Sequence, residues 1–230
     1  MKYFILFVIS VSITFAAPSF SKSKKQLVKI YSNHTSTFYC GCDYNIKNKK
    51  NMIDRKSCGY IPRNERTKKG NINKRSRRIE WEHVMPAQNF GRQLSCWTKG
   101  DSRCIKKNGK SFKGRKCCSK VSSKFKEMEA DKMNLVPAIG ELNADRSNYR
   151  YGAFKPSNEQ YGQCNFQVDF KARKAFIDPS IRGDVARIYF YMSDTYDIKL
   201  SKQERKMMSA WDKTDPIDKW EKEKLDILKK

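Results

Sequence analysis

Eight cysteines, Cys40, Cys42, Cys58, Cys96, Cys104, Cys117, Cys118 and Cys164, constrain the fold of this chain more than any other feature. All of them lie behind an apolar N-terminal run. Lys2 precedes Tyr3 to Ala17, a stretch broken only by Ser10, Ser12 and Thr14, and small residues follow at Ala16, Ala17, Ser19 and Ser21. A basic start, a short apolar run and a zone of small residues read as a secretory leader. The run is shorter than the roughly 20 apolar residues of a membrane-spanning helix. The expectation is a leader over residues 1–21, cut somewhere after Ala17 to Ser21, followed by one domain over 22–230 with no membrane span. Export turns an even cysteine count into a disulfide framework. Eight cysteines allow about 105 pairings, and the sequence does not choose among them. Adjacent Cys117 and Cys118 are expected to take different partners, because a vicinal bridge strains the backbone. Zinc is disfavoured, since there is no Cys-x-x-Cys repeat and no nearby histidine pair.

The remaining composition is globular but heavily cationic, with a formal net charge of +25. The excess is concentrated. Lys47 to Arg78 holds thirteen Lys/Arg against two acids, and Lys99 to Lys126 holds eleven against one. Such a field attracts a polyanion: nucleic acid, an anionic membrane or an acidic polysaccharide.

The periodicities predict mixed secondary structure. Lys22 to His34 reads as a helix, with Leu27, Ile30 and Tyr31 at helical spacing. Thr37 to Cys42 reads as a strand. Arg77 to Val84 alternates Ile79, Trp81 and His83 against Arg78, Glu80 and Glu82, a second strand, ended by Pro86. Lys99 to Ser119 reads as a loop stapled by cysteines, and Ser122 to Asp131 as a short helix. Asn134 to Tyr149 reads as a helix opening with Pro137 and carrying Leu142, Asn143 and Arg146. Arg182 to Tyr196 carries one buried helical face. Ser201 with Glu204 forms a capping box for a last helix through Trp211. The sum is a mixed α+β single domain.

The stretch richest in chemistry is Ile79-Glu80-Trp81-Glu82-His83-Val84-Met85-Pro86. The chain has only two histidines, and His83 sits directly behind an acid. A carboxylate is a hard ligand for a divalent cation, and imidazole titrates near neutral pH. The pair therefore points to metal-assisted hydrolysis. On a regular strand, neighbours face opposite sides, so Glu82 and His83 converge only if the strand bends or ends there. His34, among Thr35, Ser36 and Thr37, reads as solvated or capping.

A second stretch, Asp131-Lys132-Met133-Asn134-Leu135-Val136-Pro137 through Gly140-Glu141-Leu142-Asn143-Ala144-Asp145-Arg146-Ser147-Asn148, resembles the endonuclease I family of exported bacterial nucleases. Further matching runs are Thr37-Phe38-Tyr39-Cys40-Gly41-Cys42, Ser57-Cys58-Gly59-Tyr60, Gly114-Arg115-Lys116, Tyr161-Gly162-Gln163-Cys164 and Ala186-Arg187-Ile188-Tyr189. The likeness spans roughly Val28 to Trp220. It implies a ββα-metal (His-Me finger) motif within the α+β domain. It assigns His83 as general base, Glu82 and Asn143 as metal ligands, and Arg115 as phosphate clamp, with Arg103 before Cys104 as the alternative clamp. Asn134 is expected to hold the helix start, and Glu80 to form a salt bridge rather than bind metal. The implied cofactor is Mg²⁺, with Mn²⁺ or Ca²⁺ as substitutes. The implied substrate is DNA, and RNA as well, held through backbone phosphates by a monomer in the periplasm or outside the cell. Trp220-Glu221 is followed by Lys222 where the family pattern leads one to expect a cysteine, so no disulfide map is carried over. The competing class is a secreted polyanion binder without catalysis, which would not require the Glu82-His83 pair or Asn143.

Overall fold

The computed structural model describes residues 19–46, 52–153 and 159–229; most of the expected leader lies outside them. Two strands form the centre of the site. Strand β1 (Ile79–His83) pairs antiparallel with β2 (Leu135–Ile139), with Ile79 opposite Ile139, Trp81 opposite Pro137 and His83 opposite Leu135. Helix α6 (Gly140–Arg146) follows β2 without a loop, giving a ββα unit. Gly140 permits that turn: a Cβ there would lie 2.9 Å from the Arg75 carbonyl and 3.0 Å from the Glu80 side chain.

Between β1 and β2 lie four short helices, α2 (Ala87–Gly91), α3 (Ser95–Thr98), α4 (Arg115–Val121) and α5 (Ser123–Ala130). Ser122 caps α5 by accepting from the Phe125 amide. Two disulfides, Cys96–Cys118 and Cys104–Cys117, staple this excursion, so the adjacent cysteines do take different partners. Cys40–Cys164 and Cys42–Cys58 complete the framework, and no cysteine is free.

Beyond the ββα unit, β3 (Arg150–Tyr151), β4 (Gln167–Asp169) and β5 (Lys174–Phe176) form a small sheet in the order β3-β5-β4. Helices α7 (Arg182–Tyr196) and α8 (Lys202–Thr214) pack on each other. Ser201 caps α8 by accepting from the Glu204 amide, one half of the expected capping box, while the Glu204 carboxylate pairs with Arg150. The main core gathers Val84, Met85, Phe90, Phe125, Leu142, Tyr161, Tyr189 and Met192. A smaller cluster of Leu27, Tyr31 and Leu135 docks α1 (Phe20–Ile30) beside the strands.

Several readings of the sequence need correction. Thr37 to Cys42 is a tight turn: the Gly41 amide donates to the Thr37 carbonyl, the Thr37 amide to that of Cys42, and Gly41 sits at φ 66°. The region opened by Pro137 is strand first, and the helix starts only at Gly140. In a two-stranded ribbon both strands are edges, where proline's missing N–H is tolerated. The α8 helix is not the last: α9 (Lys219–Lys229) follows. It places Trp220 flat on His34, ring centroids 4.0 Å apart, so His34 is a half-buried packing residue rather than a solvated one.

Candidate active site

The site is built where β1 ends. Its alternation breaks there, because Glu82 and His83 are both buried, 3% and 7% exposed. The cause is the way the strand exit is held. The Asn134 side chain brackets Met85, its Oδ1 accepting from the Met85 amide at 2.7 Å and its Nδ2 donating to the Met85 carbonyl at 3.0 Å. From α6, the Arg146 guanidinium donates to the carbonyls of His83 and Val84. Asn134 thus secures the exit of β1, not the start of a helix, and both ends of its amide are in use.

Arg146 does a second job. Its Nη1 lies 3.0 Å from Glu82 Oε1, and the residue is 1% exposed. Tyr39 donates to the same oxygen at 3.2 Å. Glu82 Oε2 has no partner among the described residues. Burial pushes the Glu82 carboxyl up to about 7, against the pull of Arg146 and the Tyr39 hydroxyl. The sequence offers one clue to Arg146: it lies three residues after Asn143, on the same face of a helix. Arg146→Met should cost about 3–5 kcal/mol of stability, the usual loss when a buried pair keeps only one charge. Urea denaturation measures this, and Glu82→Gln in the same chain should restore part of it; a loss below 1 kcal/mol in the single variant would refute the role.

His83 is held on the other side. Its Nε2 donates at 2.8 Å to the carbonyl of Glu129 in α5, a partner that fixes the proton on Nε2 and leaves Nδ1 as the basic nitrogen of the neutral ring. Phe20 lies 5.0 Å away and Phe90 6.3 Å, centroid to centroid. Burial pushes the imidazole down to about 4, with Arg115 and Arg146 acting in the same direction against the bond to Glu129. At neutral pH the ring is therefore uncharged.

Glu82, His83, Asn143 and Arg115 open on one cavity of about 480 Å³. Asn143, on α6, donates to Glu80 Oε2 at 3.3 Å. Glu80 is an ion-pair residue, as expected, gripped by Arg75 and Arg78. Arg115 opens α4, is held by Glu129 at 2.6 Å, and reaches the cavity rim. Arg103 does not line the cavity; Asp101 holds its guanidinium at 2.8 and 3.0 Å. Of the two arginines, only Arg115 lines the cavity beside His83. The sequence reading missed Phe20 and Arg146. It also missed Glu141, whose carboxylate accepts from Tyr60, Arg63 and Asn64 and ties the basic loop to α6.

The family model described as Endonuclease I matches residues 19–229. The chain belongs to the endonuclease I family. Among curated relatives of this endonuclease family, it is 45% identical to a periplasmic deoxyribonuclease of Aeromonas hydrophila over 90% of this chain and 79% of that protein. An extracellular deoxyribonuclease of the same organism is 44% identical over 93% and 86%. An Endonuclease-1 of Buchnera aphidicola is 44% identical over 91% and 76%. The chain is thus a nuclease of secreted or periplasmic type that acts on nucleic acid, and a divalent metal is the cofactor class that such a family suggests. The donor set fits such an ion: a carboxylate with one unengaged oxygen and an amide face the same cavity, and a hard cation that keeps several waters needs few protein ligands.

Proposed function

We propose that this endonuclease is sequence-nonspecific and hydrolyses phosphodiester bonds of DNA, and of RNA, acting as a monomer with Mg²⁺. What supports the reading is one observation: a buried carboxylate, a neutral imidazole, a helix-borne amide and an arginine open together on one cavity. Binding a polyanion would need none of the first three. Glu82 Oε2 and the Asn143 amide would hold Mg²⁺, for which Mn²⁺ or Ca²⁺ can substitute. When bound there, the ion supplies Lewis acidity at the phosphate and the departing oxygen. His83 Nδ1 takes a proton from a water lined up on phosphorus, while Nε2 stays on the Glu129 carbonyl and keeps the ring from turning. Arg115 neutralises charge on the equatorial oxygens. Attack with loss of the 3′ oxygen leaves 5′-phosphate and 3′-hydroxyl ends. Contacts to backbone phosphates carry no base information, so cleavage is nearly independent of sequence.

The test is metal binding read apart from activity. Calorimetric titration of Mn²⁺ should show one site that Glu82→Ala and Asn143→Ala each weaken at least tenfold, whereas Asn134→Ala lowers thermal stability instead. Unchanged binding in both site variants would overturn the ligand assignment. The pH dependence follows from the Glu82 carboxyl. Below its pKa of about 7, a proton competes with the cation, so affinity should fall roughly tenfold per pH unit. Raising Mg²⁺ should therefore move the acid limb of the activity profile to lower pH. A limb that ignores metal concentration would contradict this. In the N-terminal leader, a cut on the Ala17 side of the expected window keeps Phe20 against His83 in the mature chain. Mass spectrometry of the exported protein should find Phe20 retained.

A further inference from the structure

Neither basic segment singled out in the sequence includes α1, yet α1 forms a wall of the site. Ser23 donates a buried hydrogen bond, 2.5 Å, to the Ala130 carbonyl, next to the Glu129 carbonyl that holds His83. Leu27 is fully buried in the small cluster between α1 and the strands. This docking sets Phe20 against the imidazole and places the next turn of α1 over a second cavity, of about 980 Å³. The two cavities share Phe20, Trp81 and Asn143 and so lie side by side.

The charge of this second groove is lopsided. Lys24 and Lys25 of α1 face it from one side, Lys74, Arg77 and Arg78 from the other. Its single acid, Glu80, is already gripped by Arg75 and Arg78, and Arg77 is paired with Glu65. Lys24, Lys25 and Lys74 have no ion-pair partner among the described residues. Lys24 is held over the Phe20 ring, its Nζ 4.7 Å from the centroid. Three uncompensated ammonium groups thus border a groove that leads to Asn143. Like charges held together are unfavourable in the free protein and become favourable when an anion of matching spacing lies between them.

We propose that this groove is the track for the nucleic-acid strand on one side of the cut, with Lys24, Lys25 and Lys74 binding its backbone phosphates. The inference rests on the nuclease reading of the adjoining cavity and adds to it a substrate arm carried by the N-terminal helix. Lys24 and Lys25 are ligands of the strand, not groups that act on the reacting phosphate.

Binding without metal tests the track separately from catalysis. The oxidised full mature chain is titrated into a fluorescein-labelled single-stranded DNA 16-mer in EDTA, and anisotropy is read from low to moderate salt. Lys24→Glu/Lys25→Glu should raise Kd at least tenfold at low salt. Lys24→Gln/Lys25→Gln should raise it less, and should flatten the log Kd against log salt slope by about 1.4, roughly 0.7 per lost phosphate contact on a single strand. Lys202→Glu/Lys206→Glu, an exposed pair on α8 away from both cavities, should change Kd less than twofold. Circular dichroism confirms that each variant is folded. The proposal is overturned if the α1 variants bind like the wild type, or lose no more affinity than the α8 pair. Affinity that depends on Lys24 and Lys25 in a wild-type protein that never cleaves with Mg²⁺ would uphold the track and sink the nuclease reading.

Discussion

His83→Ala is expected to lower kcat by about 10²- to 10⁴-fold, the usual contribution of a positioned general base, with nucleic-acid affinity within a few-fold of wild type. The separation follows from the geometry. The ring is buried between Phe20 and Phe90 with one nitrogen spent on Glu129. It contributes a lone pair to the cavity and no charge to the surface that binds phosphates. Single-turnover cleavage of a labelled duplex, alongside filter binding in EDTA, measures both quantities. Full activity in His83→Ala would remove the base from the scheme. Loss of affinity without loss of kcat would make His83 a binding residue.

Reduction of the disulfides is expected to have the other large effect. All eight cysteines are paired, and two of the bridges hold the excursion that carries Arg115. Cys40–Cys164 closes a separation of 124 residues. Losing one native disulfide costs about 2–5 kcal/mol, against a whole-domain stability of about 5–15 kcal/mol. Losing four, about 8–20 kcal/mol on that scale, is enough to consume that margin. Dithiothreitol should abolish cleavage and collapse the near-ultraviolet circular dichroism, and the oxidised protein should show no titratable thiol. The precursor in a reducing cytoplasm should be inactive for the same reason, which protects the cell's own nucleic acid. Undiminished cleavage after verified reduction of every bridge would refute this safeguard.

The parts of the fold that could be read from the sequence were those with local causes. The strand over Ile79 to His83, the apolar face from Arg182 to Tyr196 and the Ser201 cap each carry their own signal and each stands in the structure, although the alternation of the strand breaks at Glu82. The chain from Thr37 to Cys42 has strand-forming residues, but two disulfides and a left-handed glycine make it a turn; β propensity yields to tertiary context. Pro137 looks like a helix start because proline is favoured at the first helical position, yet the edge of a ribbon suits it equally well. Helix α9 carries no comparable signal: its amphipathic face docks through Trp220, and Lys224 reaches the carbonyls of Met133 and Leu135.

The site divides in the same way. Glu82 and His83 are neighbours in sequence, and Asn143 and Arg115 lie in runs that resemble the family, so all four could be named in advance. Arg146 and Phe20 could not. Each acts through a contact made far along the chain: Arg146 on Glu82 and the carbonyls of His83 and Val84, Phe20 on the His83 ring. The choice between Arg103 and Arg115 likewise depended on which loop the disulfides turn toward the cavity.

The most direct test of the central claim, that the Glu82-His83-Asn143 cavity hydrolyses nucleic acid with a divalent metal, is a plasmid relaxation assay on the oxidised mature protein. Supercoiled DNA should be nicked and then degraded in Mg²⁺, left intact in EDTA, and cleaved again when Mg²⁺ is restored in excess. RNA incubated in parallel should behave alike. Plasmid that is retarded on the gel by the bound protein, yet remains supercoiled in Mg²⁺ and Mn²⁺ alike, would contradict the account and make this chain a cationic binder.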